Sequence, residues 1–212
     1  MPRPRPTRRF LSPFHLGIAL VVLLVALFAI QRFTHPPSVY FGTKFDHPEP
    51  AEPIRLTDHR RQPFDLEQLR GKVVLLNFGF THCPNICPTI LNQFAAITAK
   101  LTPEERQRVQ VVFISIDPER DTTKVLGDYV PFFDESFLGL TGEPAQVADV
   151  AKRYHVYSKK ADDAATNPSY NVDHSTYSYL IDPQGRFALL YDDRKLAQTE
   201  KVAADLRKIL AE

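Results

Sequence analysis

An almost continuous apolar run, Val73–Phe80 (VVLLNFGF), leads directly into the segment that carries both cysteines of the chain. A run of this kind, rich in β-branched and aromatic residues, is typical of a strand that is buried on both faces. Cys83 and Cys87 follow the strand, and the apolar periodicity after them predicts an amphipathic helix that ends near Leu101. The sequence therefore places both thiols at a buried junction between a strand and a helix.

Strands and helices alternate over the rest of the chain from residue 54 onward. A short hairpin is predicted at Ile54–Thr57 and Phe64–Leu66, and Lys159–Asn171 is predicted to be a loop. Further strands are predicted at Gln110–Ile116, Phe137–Leu140, Ser175–Ile181 and Arg186–Tyr191, and further helices at Thr122–Val130, Glu143–Tyr154 and Ala197–Leu210. This order predicts an α/β, thioredoxin-like sandwich with a central mixed sheet, parallel at first and closed by an antiparallel hairpin.

The N-terminal part of the chain has a different character. The stretch from Phe10 to Ile30 has no formal charge and would span about 31 Å as a helix, close to the thickness of the hydrocarbon layer. Four arginines precede this stretch and one follows it, which predicts a cytoplasmic N-terminus. We therefore expect residues 1–9 to be a cytoplasmic basic segment and residues 10–31 to be a transmembrane anchor. A cleaved signal peptide is the alternative, but Leu27 is a poor residue for the position three before a cleavage site.

Residues 32–53 are rich in proline and show no apolar period, so they are predicted to form a tether in front of a globular domain at residues 54–212. The basic stretch is short and poor in serine for a mitochondrial transit peptide. We therefore expect a single-pass protein of a bacterial inner membrane, with its globular domain in the periplasm, rather than one of the mitochondrial inner membrane. That compartment tolerates disulfides. A formal net charge of +1 argues against a nucleic-acid partner.

The spacing of the two cysteines points to thiolate chemistry. Cys83 and Cys87 lie four positions apart near the start of a helix, where the helix dipole favours thiolates. Such a pair can be a redox dithiol or part of a metal site. The dithiol enzymes of the thioredoxin fold place a proline opposite their cysteines, whereas here the residues that enter the corresponding later strand are Asp173-His174-Ser175, with no proline. Two thiolates and one imidazole form a soft set suited to Cu(I), and to Cu(II) with an added oxygen ligand, with zinc as the second choice.

Three sequence motifs resemble those of a known protein family. Phe80–Thr89 reads FTHCPNICPT, residues 115–122 read SIDPERDT, and residues 173–176 read DHST. In this order they resemble the Sco/SenC family of copper-binding proteins that assemble the dinuclear copper centre of cytochrome c oxidase. The resemblance covers roughly residues 54–210 and extends to the single N-terminal anchor. It implies a membrane-anchored protein with a thioredoxin-like fold and copper as its metal.

Carried over residue by residue, the resemblance implies that Cys83, Cys87 and His174 bind copper as Cu(I), Cu(II) or both. Asp117 and Asp121 occupy the acidic motif of the family. We expect Asp121 to cap a helix and Asp117 to be an accessory group of the site. The partners implied are the copper-bearing subunit of cytochrome c oxidase, other periplasmic copper carriers, and thiol reductants.

Two functions are consistent with these residues. The first is a copper chaperone that hands copper to an oxidase subunit and has thiol–disulfide reductase activity as an additional role. The second is a periplasmic thiol–disulfide oxidoreductase that uses Cys83 and Cys87 as a redox dithiol, with copper incidental. His174 separates the two, because a metal site needs the imidazole and dithiol exchange does not.

The charge pattern of the N-terminal segment generates the first prediction. A reporter enzyme that is active only outside the cytoplasm, fused after Glu212, should be active in a bacterial host because the arginine excess precedes the apolar stretch. Moving the arginines at positions 3, 5, 8 and 9 to follow residue 31 should reduce that activity. A reporter that works only in the cytoplasm would contradict the predicted orientation.

Overall fold

The computed structural model describes residues 17–18, 20–27, 39–45, 48–167 and 169–212. The chain divides into two units, Met1–Val39 and Tyr40–Glu212. In the first unit, the described residues from 17 to 27 are helical. Among the residues that the structure describes, no helix has the length and apolar character needed to cross a membrane. The predicted basic segment 1–9 lies outside the described residues, and so do positions 10–16, 19 and 28–31 of the predicted anchor.

The second unit is built on an eight-stranded mixed sheet with the order β1-β10-β9-β4-β5-β6-β2-β3, beside which β7 and β8 form a separate ribbon. The strands are β1 Thr43–Lys44, β2 Arg55–Asp58, β3 Pro63–Asp65, β4 Val73–Gly79, β5 Val109–Ser115, β6 Leu138–Thr141, β7 Ser158–Lys160, β8 Val172–His174, β9 Ser178–Ile181 and β10 Phe187–Tyr191. The helices are α1 Ile86–Thr98, α2 Pro103–Gln107, α3 Thr123–Tyr129, α4 Pro144–Arg153, α5 Asp193–Leu196 and α6 Thr199–Ala211, with 3-10 turns at Leu66–Leu69 and Val130–Phe132.

The sheet has the predicted thioredoxin-like arrangement. β4, β5 and β6 are parallel to one another, whereas β9 runs antiparallel to β4 and β10 runs antiparallel to β9. Every residue of β4 is buried, as its continuous apolar sequence predicts for a central strand covered on both faces. α1 packs against α6, and its apolar stripe of Ile90, Phe94 and Ile97 is fully buried. Pro88 lies in the first turn of α1, where a missing backbone donor is tolerated.

The structure corrects the predicted end of the tether at residue 53. β1 pairs with β10, and Pro50 bridges to Arg186, so the described residues between 40 and 53 belong to the folded unit. The carboxylate of Asp205, which is fully buried, accepts hydrogen bonds from the backbone N–H groups of Phe41 (2.9 Å) and Gly42 (2.8 Å). A strand of two residues held by a carboxylate has no apolar period, and the sequence pattern therefore gave no sign of it.

A second correction concerns the segment that leads to His174. Lys159–Asn171 was predicted to be a loop, but its first two residues belong to β7, which pairs antiparallel with β8. Ser158 is the partner of His174 in this ribbon, and the strand expected from Ser175 begins only at Ser178. His174 therefore lies on a short ribbon outside the main sheet. β7 (SKK) is polar and largely exposed, which is why an apolar pattern does not reveal it.

The contact at Asp205 generates a prediction about where the domain begins. A fragment starting at residue 33 should be soluble and folded, whereas one starting at residue 54 should lose at least about 2 kcal/mol in its free energy of unfolding, because a buried carboxylate loses its two backbone N–H donors. Urea unfolding followed by circular dichroism measures the difference. Asp205→Asn should destabilise the longer fragment more than the shorter one. Equal stability of the two fragments would show that the segment before residue 54 is a true tether.

Candidate metal centre

Three potential metal ligands from separate parts of the sequence converge beyond the carboxyl end of β4. Cys83 lies in the turn after the strand, Cys87 lies in the first turn of α1, and His174 ends β8. The two sulfurs and one ring nitrogen all lie within 4.8 Å of one another. The Cys87 Sγ is 3.6 Å from His174 Nε2, and the Cys87 backbone N–H lies 3.5 Å from the Cys83 Sγ. The structure thus brings together the three residues that the sequence singled out as ligands.

Gly79, the last residue of β4, makes room for this arrangement. A Cβ atom at this position would lie 2.7 Å from the Cys87 Sγ and 2.7 Å from Cε2 of Phe113. A Cβ atom essentially never makes contacts this short, so a larger residue would push the sulfur away from the strand. Sequence reasoning did not identify Gly79. Its signal was a single glycine inside an otherwise apolar strand, a position that often marks close approach of another group.

The imidazole of His174 is oriented by the backbone next to it. Its Nδ1 lies 2.8 Å from the carbonyl oxygen of Ser175. A carbonyl oxygen only accepts hydrogen bonds, so Nδ1 carries the proton and Nε2 keeps a lone pair, which faces Cys87. The ring of Phe80 meets the imidazole edge-on, with centroids 5.8 Å apart. Histidines that bind metals are commonly fixed in this way by a bond from the second ring nitrogen.

The two thiols differ in access and in acidity. Cys83 is 9% exposed and Cys87 is 0% exposed. The hydrogen bond from the Cys87 thiol, aided by the backbone N–H groups of Cys87 and Asn85, lowers the pKa of Cys83 to about 3 despite partial burial. The same hydrogen bond and deep burial raise the pKa of the Cys87 thiol. At neutral pH the metal-free site therefore holds one thiolate, at Cys83, and one thiol, at Cys87.

Asp121 does not cap a helix as predicted. The side chain of Thr122 caps α3 by accepting from Val125 N–H, and Asp121 turns inward with no exposed surface. Its carboxylate accepts hydrogen bonds from the Thr81 N–H at 3.0 Å, the Thr81 hydroxyl at 2.6 Å and the Ser115 hydroxyl at 2.6 Å. Asp121 therefore ties the end of β5 to the turn that carries Cys83.

Asp117 supports the other side of the site. It is fully buried, and its carboxylate accepts from the Tyr170 hydroxyl at 2.7 Å and from Nε of Arg120 at 2.5 Å. The Arg120 guanidinium stacks on the Tyr170 ring, 3.5 Å from its centroid. Asp117 thus braces the segment that leads into β8 and His174, and it does not belong to the group of converging ligand atoms. The expectation of an accessory role stays a prediction.

Comparisons with family models and with curated proteins point to the same family. The SCO1/SenC family model matches residues 44–211. The mitochondrial protein SCO2 of Saccharomyces cerevisiae is 44% identical over 135 residues, which are 64% of this chain and 45% of the yeast protein. The chain thus spans less than half of that relative. A SCO2-like protein of Rickettsia prowazekii is 33% identical over 172 residues, covering 81% of this chain and 82% of the relative.

Solved structures agree with the sequence comparison. The solution structure of apo Sco1 from Thermus thermophilus matches with a TM-score of 0.75 and 38% identity. The match covers 83% of this chain and 100% of the Thermus chain. The structure of Bradyrhizobium japonicum ScoI with copper bound has a TM-score of 0.67 and 36% identity, covering 76% of this chain and 99% of that one. The fold and the order of its elements are therefore shared with proteins of this kind.

The unequal thiols generate a prediction for the reduced, metal-free protein. At pH 6, iodoacetamide should modify Cys83 and leave Cys87 largely unmodified, because an ordinary thiol is protonated at that pH whereas the lowered pKa of Cys83 favours its thiolate. Mass spectrometry of the tryptic peptides measures the two sites. In Cys83→Ser, the remaining Cys87 should stay unreactive at pH 6. Equal modification of both thiols would contradict the assigned asymmetry.

Proposed function

The chain belongs to the SCO1/SenC family, and we propose on this basis that it is a membrane-anchored copper-binding protein for assembly of the dinuclear copper centre of cytochrome c oxidase. The observation that carries the proposal is the convergence of Cys83, Cys87 and His174, whose ligand atoms lie within 4.8 Å of one another. A relative with 36% identity has been solved with copper bound, which supports copper as the metal.

The donor set fits copper chemically. Two sulfurs and one imidazole nitrogen are soft or borderline ligands, and three such ligands satisfy Cu(I). His174 presents Nε2 towards Cys87, because its Nδ1–H is bonded to Ser175 O, and Nε2 is therefore the ring nitrogen available to the metal. Cys83 is held as a thiolate, so the Cys87 thiol is the group that must lose a proton when the metal binds. Copper is here the cargo that the protein carries.

The proposal includes a location and partners. Residues 10–31 would anchor the chain in a bacterial inner membrane, with residues 1–9 in the cytoplasm and the folded unit in the periplasm. The copper-bearing subunit of cytochrome c oxidase would receive the metal, and other periplasmic copper carriers or thiol reductants would load or reduce the site. The arginines that precede the apolar stretch and the oxidising chemistry of that compartment support this placement.

A second candidate function rests on the same thiols. Thiol–disulfide exchange needs an accessible thiolate with a second thiol beside it, and Cys83 and Cys87 meet both requirements. The protein would then be a thiol–disulfide oxidoreductase or reductase. Two observations favour the copper carrier: an imidazole lies 3.6 Å from the Cys87 sulfur, and it is oriented with its lone pair towards that sulfur. Dithiol exchange has no need of either.

Copper titration separates the two candidates. The reduced full-length chain in mild detergent should bind about one Cu(I), and Cys83→Ser or Cys87→Ser should abolish tight binding because a hydroxyl is a hard ligand. His174→Ala should weaken binding by at least about tenfold while leaving the fold intact. Competition with a chromophoric Cu(I) chelator measures the affinity.

His155→Asn provides the matched control. His155 is exposed with φ 54°, a backbone conformation that asparagine tolerates, and the variant should bind copper like the wild type. Unchanged copper affinity in His174→Ala would remove the three-ligand site and favour the oxidoreductase.

A further inference from the structure

His82 lies next to Cys83 in the chain but outside the group of three converging ligand atoms. Half of its side chain, 50%, is exposed to solvent. Its ring is nevertheless held on one side, because Nδ1 lies 3.1 Å from the hydroxyl oxygen of Thr81. Nδ1 also lies 3.9 Å from Asp121 Oδ1, so the ring is oriented by groups outside the ligand set.

The hydrogen-bond partners of Thr81 determine which nitrogen of His82 carries the proton. The single proton of the Thr81 hydroxyl is donated to Asp121 Oδ1 at 2.6 Å. The Thr81 oxygen can therefore only accept from His82, so Nδ1 is the protonated nitrogen. Asp121 is fully buried and also accepts from Ser115 at 2.6 Å, so its carboxylate is held in place as the end of this chain of bonds. Nε2 of His82 is therefore the ring nitrogen left for an external partner.

His82 and His174 thus show the same arrangement. In each, Nδ1–H is bonded to an oxygen of the protein, Ser175 O in one case and Thr81 Oγ1 in the other, so Nε2 is the ring nitrogen available to a metal. Metal-binding histidines are commonly oriented by a bond from the second ring nitrogen to a carboxylate, a backbone carbonyl or water. In the His82–Thr81–Asp121 chain a hydroxyl stands between the imidazole and the carboxylate.

The three ligands differ in their access to solvent. Cys87 has no exposed surface and Cys83 retains 9%, whereas His174 is partly exposed. An acceptor molecule that takes the metal can therefore reach it past Cys83 and His174, and not past Cys87. His82 adjoins Cys83 in the chain, where adjacent Cα atoms are only about 3.8 Å apart, and its half-exposed ring is open to the same acceptor.

We propose that His82 is a transfer ligand, which binds Cu(I) through Nε2 while the metal moves between the Cys83–Cys87–His174 site and an acceptor. This inference rests on the proposed copper-carrier function. Cu(I) keeps its oxidation state and its bond to the Cys83 thiolate. The Nε2 lone pair of His82 forms a bond to copper as the bonds from His174 and Cys87 break, and Cys87 takes up a proton from solvent. Thiolates of the acceptor then replace His82 and Cys83.

The experiment follows Cu(I) transfer from the loaded full-length chain in detergent to excess bicinchoninate, by stopped-flow absorbance. His82→Asn is the informative variant, because the asparagine amide can still donate to Thr81 while the ligating Nε2 is removed. We expect His82→Asn and His82→Ala to slow transfer by about tenfold, and to change the release rate far more than the equilibrium affinity for Cu(I). His155→Asn should transfer at the wild-type rate.

Each outcome has a distinct meaning. Transfer at the wild-type rate in His82→Asn, with slow transfer only in His82→Ala, would show that the imidazole is structural and would overturn the proposal. In the metal-free wild type, nitrogen-15 NMR should find the proton of the His82 ring on Nδ1, and Thr81→Val should disturb that assignment. A proton on Nε2 would also overturn it. A wild-type chain that binds no Cu(I) would instead overturn the proposed function itself.

Discussion

The pairing of β4 with β5 on one side and with β9 on the other determines where every group of the metal site lies. Because β9 runs antiparallel to β4, the start of β9 lies beside the end of β4, with Ser178 opposite Asn77. Cys83 comes four residues after the last residue of β4, and His174 comes four residues before the first residue of β9. Strand register thus brings residues almost a hundred positions apart to the same end of the sheet. A strand buried on both faces cannot slip its register without exposing its apolar residues.

Two buried carboxylates at the end of β5 support this meeting point from opposite sides. Asp121 holds Thr81, which precedes His82 and Cys83, and Asp117 holds Tyr170, which precedes the strand carrying His174. Both carboxylates belong to one short turn, so the thiol segment and the imidazole segment are fastened to a common support. A buried carboxylate destabilises the fold unless its oxygens accept hydrogen bonds. Here each carboxylate accepts hydrogen bonds from at least two donors.

The sequence predicted those parts of the fold that show a local apolar pattern or a characteristic spacing of residues. The apolar run of β4, the stripe of α1 and the cysteine spacing are local patterns, so the central strand, the first helix and the thiol pair could be located. His174 could be identified as a ligand only by its place before a later strand. β1, the β7–β8 ribbon and the inward turn of Asp121 could not be predicted, because each depends on a partner distant in sequence: Asp205, Val172–His174 and Thr81 respectively. Gly79 belongs to the same class, since its role appears only once the Cys87 sulfur is placed against it.

The two edge strands of the main sheet influence whether copies of this domain aggregate at high concentration. One outer strand, β1, has only two residues, and one of them is Lys44. The other outer strand, β3, begins with the exposed Pro63, which offers no backbone N–H. Short strands, lysine and proline are the devices by which open sheet edges avoid joining the edges of neighbouring molecules. By covering β10, the segment fastened to Asp205 therefore also protects the domain against edge-to-edge aggregation.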